Sequence, residues 1–450
     1  MIADMFEKTM SLLKMSPLFR IRFWPCLASL LLTIVFLQIL HMTLLSRLEV
    51  KEARMKDNKS LIGRQLQGRM LKNLVSEMEE RVKNSYRLDK SGTYHVLDNF
   101  LSSEMVILGK HEYDVSIVTQ SSSSHLFNLV ELAQRWNGPI SVSVFTYDDD
   151  FIHTITSLIR FHFCNDHIYR HVSFHLVYPI SRTPMHFEGL SDMKLSCSEH
   201  VKQKQDFQSP SDDPNYANRD LDYPNNLLRN LAINYAQTPY IFMVDIDVLP
   251  SRDLRTEFQR FMSSSPRIIP EHNDNNTSVS VLTQQSLSAF VVPAFEIQES
   301  VQTPNSKAEL LELWRNGFLR PFYWELCQQC QRQTNYEMWR GLGKNGPVRI
   351  GYSVERENIW EPFYIAKTSV PLYDERFKQY GYNRISQVCE MSVAGFKFHI
   401  LDNAFVVHRG FKVKDGFHAS KDAENARNKQ LFMKFKDELK VKYPKSHRRC

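Results

Sequence analysis

The chain has 450 residues, 42% of them hydrophobic and 24% charged, with a net charge of +6. That length can bury a sizeable core in one large domain or two ordinary ones, and the composition excludes a disordered chain. The mild positive balance, with no Lys/Arg cluster interleaved with aromatics, gives no sign of a nucleic-acid partner.

Trp24 to Leu45 carries no Asp, Glu, Lys or Arg, and as a helix it would be about 33 Å long, enough for a bilayer core. Lys8, Lys14, Arg20 and Arg22 precede it and favour keeping that end in the cytoplasm. Leu44-Leu45-Ser46-Arg47 offers no small-residue cleavage site, so a signal anchor is expected rather than a removed signal peptide. The expected order is a cytoplasmic tail (1–22), a single-pass type II anchor (23–45), a helical stem (46–85) and a lumenal α/β domain (86–450). In the stem, Leu71, Leu74, Val75, Met78 and Val82 follow helical spacing, but Gly63 and Gly68 interrupt the pattern. Fewer than about three heptads are present, so a homodimer through the stem has only weak support.

Beyond the anchor lie six cysteines, Cys164, Cys197, Cys327, Cys330, Cys389 and Cys450, an even number suited to an oxidising lumen. Cys327 and Cys330 have the spacing of half a zinc site or a redox pair, yet no second CxxC accompanies them. Structural disulfides are the better expectation, with their pairing open. Asn58, Asn275 and Asn276 begin N-glycosylation triplets that a lumenal location would make usable.

From about residue 90 the pattern turns α/β. Asp114–Gln120, Pro139–Tyr147 and His171–Pro179 read as buried strands, with helices at His125–Trp136 and Asp150–Phe163 between them. A polar loop near 198–220 leads to a helix at Tyr223–Ala236 and a strand at Tyr240–Val244. Such alternation predicts a largely parallel sheet covered on both faces, with its ligand beyond the carboxyl ends of the strands. Thr119 and Gln120 fall at one such end, and Asp245 and Asp247 at another.

An Asp-x-Asp pair closing an apolar strand suits a hard cation, Mn²⁺ or Mg²⁺, because carboxylate oxygens are its preferred ligands. Residues i and i+2 share one side of a strand, so both carboxylates can face one ion and the diphosphate it neutralises. That is the logic of nucleotide-sugar glycosyltransferases of the GT-A type. A solvated turn or helix cap would also use aspartates here, and the motif alone is weak. The buried strand and lumenal context favour the metal.

The blocks YPNNLLRNLA (223–232), MVDIDVLPS (243–251), VVPAFEI (291–297), RPFYWELCQQCQRQTNY (320–336), WEPFYIA (360–366), YDERFKQYGYNRISQVCE (373–390) and FVVHRGFK (405–412) occur in one order. In that order, with the ending KYPKSHRRC (442–450), they resemble glycosyltransferase family 49, the glucuronyltransferases of the α-dystroglycan matriglycan pathway. The second catalytic domain of LARGE-type enzymes is similar more loosely. The resemblance runs from about residue 85 to 450, while the anchor and stem match only in kind. One departure is that Asn335-Tyr-Glu lacks the glycosylation triplet expected there.

The resemblance implies a GT-A fold and Mn²⁺-dependent, inverting transfer of glucuronic acid from UDP-glucuronate to the 4-hydroxyl of a β-xylose in the Golgi. The acceptor implied is a xylosylated O-mannosyl glycan of α-dystroglycan, and a LARGE-type transferase is the implied protein partner. Asp245 and Asp247 match the metal motif, and His408 stands where a third ligand is expected. For the base that inversion needs, Asp374 and Glu375 are the leading pair and Glu390 a third candidate. The donor carboxylate calls for a cation, and Arg229, Arg320 and Arg384 all fall in the matching blocks. The alternative is a transferase of the same fold using UDP-N-acetylglucosamine on a poly-N-acetyllactosamine-type acceptor.

Overall fold

The computed structural model describes residues 86–104, 112–182, 221–264, 287–357, 359–413 and 418–450, with Cys197 and short stretches at 37–38, 41–43, 76–77 and 80–82. The expected anchor and stem lie almost wholly outside the described residues, as do Asn58, Asn275 and Asn276. Among the described residues no helix is long and apolar enough to cross a membrane. The chain divides into two compact units, Met1–Leu74 and Val75–Cys450, and the second holds every strand found among the described residues.

The strands in chain order are β1 (Arg87–Leu88), β2 (Tyr94–Leu101), β3 (Val115–Ser122), β4 (Ile140–Phe145), β5 (Val172–Pro179), β6 (Tyr240–Met243) and β7 (Val248–Pro250). They continue with β8 (Ser288–Val292), β9 (Ala294–Ile297), β10 (Leu319–Pro321), β11 (Arg349–Val354), β12 (Phe363–Lys367), β13 (Lys397–Asp402) and β14 (Val406–Arg409). The predicted strands and helices up to β6 are all found, within a few residues at each end.

Ten strands form one sheet in the order β1-β2-β5-β4-β3-β6-β12-β8-β13-β11. The run β5-β4-β3-β6 is parallel, as the alternation of strands and helices requires. Its strands are buried along nearly their whole length, which is why they read as apolar rather than alternating. The rest corrects the expectation of a largely parallel sheet. β12 lies antiparallel between β6 and β8, and β2 and β11 are antiparallel to their inner neighbours. The reason lies in how the chain reaches β12. Tyr364 pairs with Met243 near the carboxyl end of β6, so the chain enters the sheet from that end and must run backwards through it.

A second, four-stranded sheet, β10-β9-β14-β7, stands beside the carboxyl end of β6. Between the sheets and the helices packed on them lies a core that includes Trp339, Trp360, Tyr364 and Phe398. The helix Lys421–Lys442 docks Phe432, Phe435 and Leu439 onto Ile385, Cys389 and Val393 of the helix Asn383–Val393. A Cys389–Cys450 disulfide closes that contact, and Cys164–Cys197 and Cys327–Cys330 complete the pairing of the six cysteines.

Candidate active site

A cavity of about 570 Å³ opens at the carboxyl ends of β3 and β6. Gln120, Asp245 and Asp247 line it from the sheet, Arg229 from the helix Asn225–Asn234, and Arg384 from the start of the helix Asn383–Val393. The loop Gln379–Asn383 forms another wall. Gly381 there has φ +93°, and a Cβ would come within 3.2 Å of the Asn425 backbone, so only glycine lets this loop lie against the last helix.

Asp247 sits between β6 and β7. Because β14 pairs with β7, His408 lies opposite Val248, the residue after Asp247. The His408 Nε2 is 3.0 Å from Asp247 Oδ2, and Lys412 Nζ is 3.4 Å from the same oxygen. Burial opposes charge on Asp247, but the His408 hydrogen bond and the charges of Lys412, His408 and His125 outweigh it and hold the carboxyl well below the usual range. His408 Nδ1 is 2.8 Å from the Gly410 carbonyl, which can only accept, so Nδ1 carries a proton. With Nδ1 held by that carbonyl, Nε2 is the ring nitrogen turned to Asp247. Asp247 Oδ2 and His408 Nε2 stand close enough to serve as two ligands of one cation, and the hydrogen bond at the other ring nitrogen is the support metal-binding histidines usually have.

Asp245 faces differently. Arg384 Nη2 donates to its Oδ2, and Arg229 Nη2 lies 3.7 Å from its Oδ1. Arg229 is also held by Asn226 Oδ1 at 3.0 Å, and Arg384 stacks over Phe363 at 4.6 Å. Burial works against the Arg384 charge, but Asp245 and Glu361 outweigh it and keep the guanidinium protonated. Asp247 and His408 are thus brought together, while Asp245 is a counter-ion to two arginines. Among the described residues no group of three metal-ligating side chains is already assembled.

The other predicted site residues divide plainly. Gln120 lines the cavity and accepts a hydrogen bond from Tyr223 Oη. Thr119, one residue earlier on the pleat, is fully buried away from it. Arg320 is not in the cavity. It pairs with Glu296 at 3.1 Å across β9 and β10 and with Glu325 at 2.5 Å. Its place is behind the site, since Glu296 also accepts the Lys412 backbone N–H at 2.7 Å and Arg320 donates to the Lys412 carbonyl at 3.3 Å.

Asp374 and Glu375 are not brought to the cavity either. They line a different hollow, of about 990 Å³, with Glu390 and Arg376. Asp374 is tied to Arg376, Glu375 accepts from Asn230 Nδ2 at 2.8 Å, and Glu390 accepts from Lys442 and Tyr443 at 2.7 and 2.8 Å. Each has a structural partner outside the cavity, Asp374 and Glu375 before the helix Asn383–Val393 and Glu390 within it. Besides the Asp-x-Asp pair, Glu361 and Asp422 bring carboxylates to the cavity, and the sequence did not single out Glu361 although it stands in the WEPFYIA block. Lys412, four residues after His408, was likewise missed.

The family described as glycosyl-transferase for dystroglycan matches residues 114–444. Beta-1,4-glucuronyltransferase 1 of Danio rerio is 35% identical over 439 residues, 94% of this chain and 97% of that protein. The Homo sapiens protein of the same name is 40% identical over 374 residues, 81% of this chain and 83% of that one. Xylosyl- and glucuronyltransferase LARGE2 of Mus musculus is 28% identical over 300 residues, 66% of this chain and 34% of that protein. With residues 114–444 matched, the chain belongs to the family of glycosyl-transferases for dystroglycan.

Proposed function

We propose that this protein is a β-1,4-glucuronyltransferase that moves glucuronic acid from UDP-glucuronate to the 4-hydroxyl of a β-xylose, with inversion. The acceptor in this reading is the xylosylated O-mannosyl glycan of α-dystroglycan, with a LARGE-type enzyme acting alongside. The relatives named above favour glucuronate over the UDP-N-acetylglucosamine alternative. The observation that carries the reading is the cavity itself, where the Asp247–His408 pair stands beside Arg229 and Arg384 at the carboxyl end of β6.

Asp247 and His408 would hold Mn²⁺ or Mg²⁺, joined by Asp245 if it leaves Arg384. Such an ion, when bound, neutralises charge growing on a diphosphate leaving group. Arg384 and Arg229 supply the fixed cations that a partly desolvated sugar carboxylate needs. Lys412 adds positive charge on the Asp247 side, where the phosphates would lie. We place the enzyme in the Golgi membrane as a type II protein, anchored by residues 23–45 with residues 86–450 in the lumen. The test is a donor screen of the full-length chain against a β-xyloside, with and without Mn²⁺. Selective transfer from UDP-glucuronate that a chelator abolishes supports the reading, and transfer from another UDP-sugar alone refutes it.

A further inference from the structure

Four carboxylates line the cavity, Asp245, Asp247, Glu361 and Asp422. Asp245 is engaged by Arg384 and Arg229, and Asp247 by His408 and Lys412. Asp422 is exposed in the first turn of the helix Lys421–Lys442. Glu361 differs from all three. It is half-buried, and among the described residues its carboxylate makes no hydrogen bond or contact ion pair.

Its backbone, by contrast, is fastened on both sides. The Glu361 N–H donates to the Cys330 carbonyl at 2.9 Å, and Gln331 Nε2 donates to the Glu361 carbonyl at 2.9 Å. The Cys327–Cys330 disulfide, itself part of the cavity wall, stiffens that collar. Two residues later β12 begins, with Tyr364 opposite Met243, so the chain delivers Glu361 beside the Asp245 end of β6. A carboxylate free of hydrogen bonds and contact ion pairs among the described residues, on a fixed backbone and lining a reaction cavity, is what proton abstraction requires.

Resting on the glucuronyltransferase reading, the geometry points to Glu361 as the catalytic base that activates the acceptor hydroxyl. The acceptor oxygen forms a bond to C1 of the donor sugar while the C1–O bond to the diphosphate breaks. The electron pair of that bond leaves with the UDP, and the hydroxyl proton passes to the Glu361 carboxylate. Burial raises the proton affinity of Glu361 above that of an ordinary glutamate, Arg384 and Arg229 oppose this, and Asp245 adds to it. The balance suits a group that must accept a proton and then release it.

The test compares full-length wild type with Glu361→Gln and Glu361→Ala, reading transfer to a β-xyloside and, separately, UDP affinity in the presence of Mn²⁺. Glu361→Gln is expected to lower kcat by a hundredfold or more while UDP affinity moves by less than about threefold, since a general base contributes roughly 10²–10⁴ in rate. Added formate is expected to restore part of the Glu361→Ala rate, which a purely structural carboxylate would not permit. The proposal is overturned if Glu361→Gln keeps kcat within about tenfold of wild type, or if kcat and UDP affinity fall together with no formate rescue. Should wild type prefer a donor other than UDP-glucuronate, the same comparison runs with that donor. A wrong donor and a wrong base therefore give different results.

Discussion

Replacing Arg384 by Gln removes the cation that donates to Asp245 and stacks on Phe363. Arg384 is only 8% exposed, so its loss is felt in a poorly solvated place. Removing one member of a fully buried ion pair costs about 3–5 kcal/mol, because the other charge is stranded. Asp245 keeps a quarter of its side-chain surface and still has Arg229 at 3.7 Å, which discounts the stability loss to about 1–2 kcal/mol, at or below the lower end of a charge-assisted hydrogen bond. The effect on the donor should be larger in proportion. If Arg384 meets the glucuronate carboxylate, losing about 1.5–3 kcal/mol of pairing lowers UDP-glucuronate use roughly ten- to a hundredfold. UDP-glucose has no carboxylate, so its use should fall far less. The assay is the ratio of kcat/KM for the two donors, with urea unfolding run in parallel. Arg320→Gln is the control, since Arg320 lies outside the cavity and should lower both donors alike. An unchanged donor ratio in Arg384→Gln would refute the assignment and turn attention to Arg229.

Asp247→Asn and His408→Ala should each reduce transfer by a hundredfold or more, an expected loss of several kcal/mol of leaving-group stabilisation, with Mn²⁺ affinity by calorimetry falling in step. Away from the site, Lys307 and Asp402 form a fully buried pair at 2.7 Å, and Arg349 also bonds Asp402 at 3.0 Å. Asp402→Leu should cost about 3–5 kcal/mol by urea unfolding, whereas Lys307→Met should cost less because Arg349 still pairs with Asp402. His175 accepts the Asn99 N–H at Nδ1 and reaches Ser141 Oγ at 2.9 Å through Nε2, and burial, opposed by Asp98, pushes its pKa down to about 3. Its stabilising effect is complete above the unfolded value near 6.5 and is lost as pH falls toward about 3, at up to about 1.4 kcal/mol per pH unit. His175→Gln should accordingly flatten the acid side of the stability curve by about one proton.

Much of the first half of the fold could be read directly, since β3 to β6 are apolar runs separated by amphipathic helices. The second half could not. β12 carries the same apolar signature as a parallel strand, and nothing in Phe363–Lys367 says from which end the chain enters. The site shows the same division. Asp247 announces itself by closing a strand, but its bond to His408 depends on the pairing of β14 with β7. Arg320 looked available because its partner Glu296 lies across a strand pair rather than nearby in sequence. Asp374 and Glu375 stood among aromatics that form the second hollow, not the cavity. Glu361 gave no local signal, because a glutamate before a proline ordinarily means only the start of an extended segment.

The small sheet draws its strands from residues 248–250, 294–297, 319–321 and 406–409, and His408 meets Asp247 across 161 positions of sequence. Contacts of such long range form late, because the loops they close must be ordered first. A chain halted before β14 can already pair its parallel strands, yet it has no imidazole for Asp247 and leaves the inner edges of β7 and β9 bare. On the proposed reading, metal binding at this site is therefore a measure of completed folding. A substitution far from the cavity that slows the closing of the small sheet would appear first as chain that is made but does not take up the ion, before any loss of secondary structure is seen.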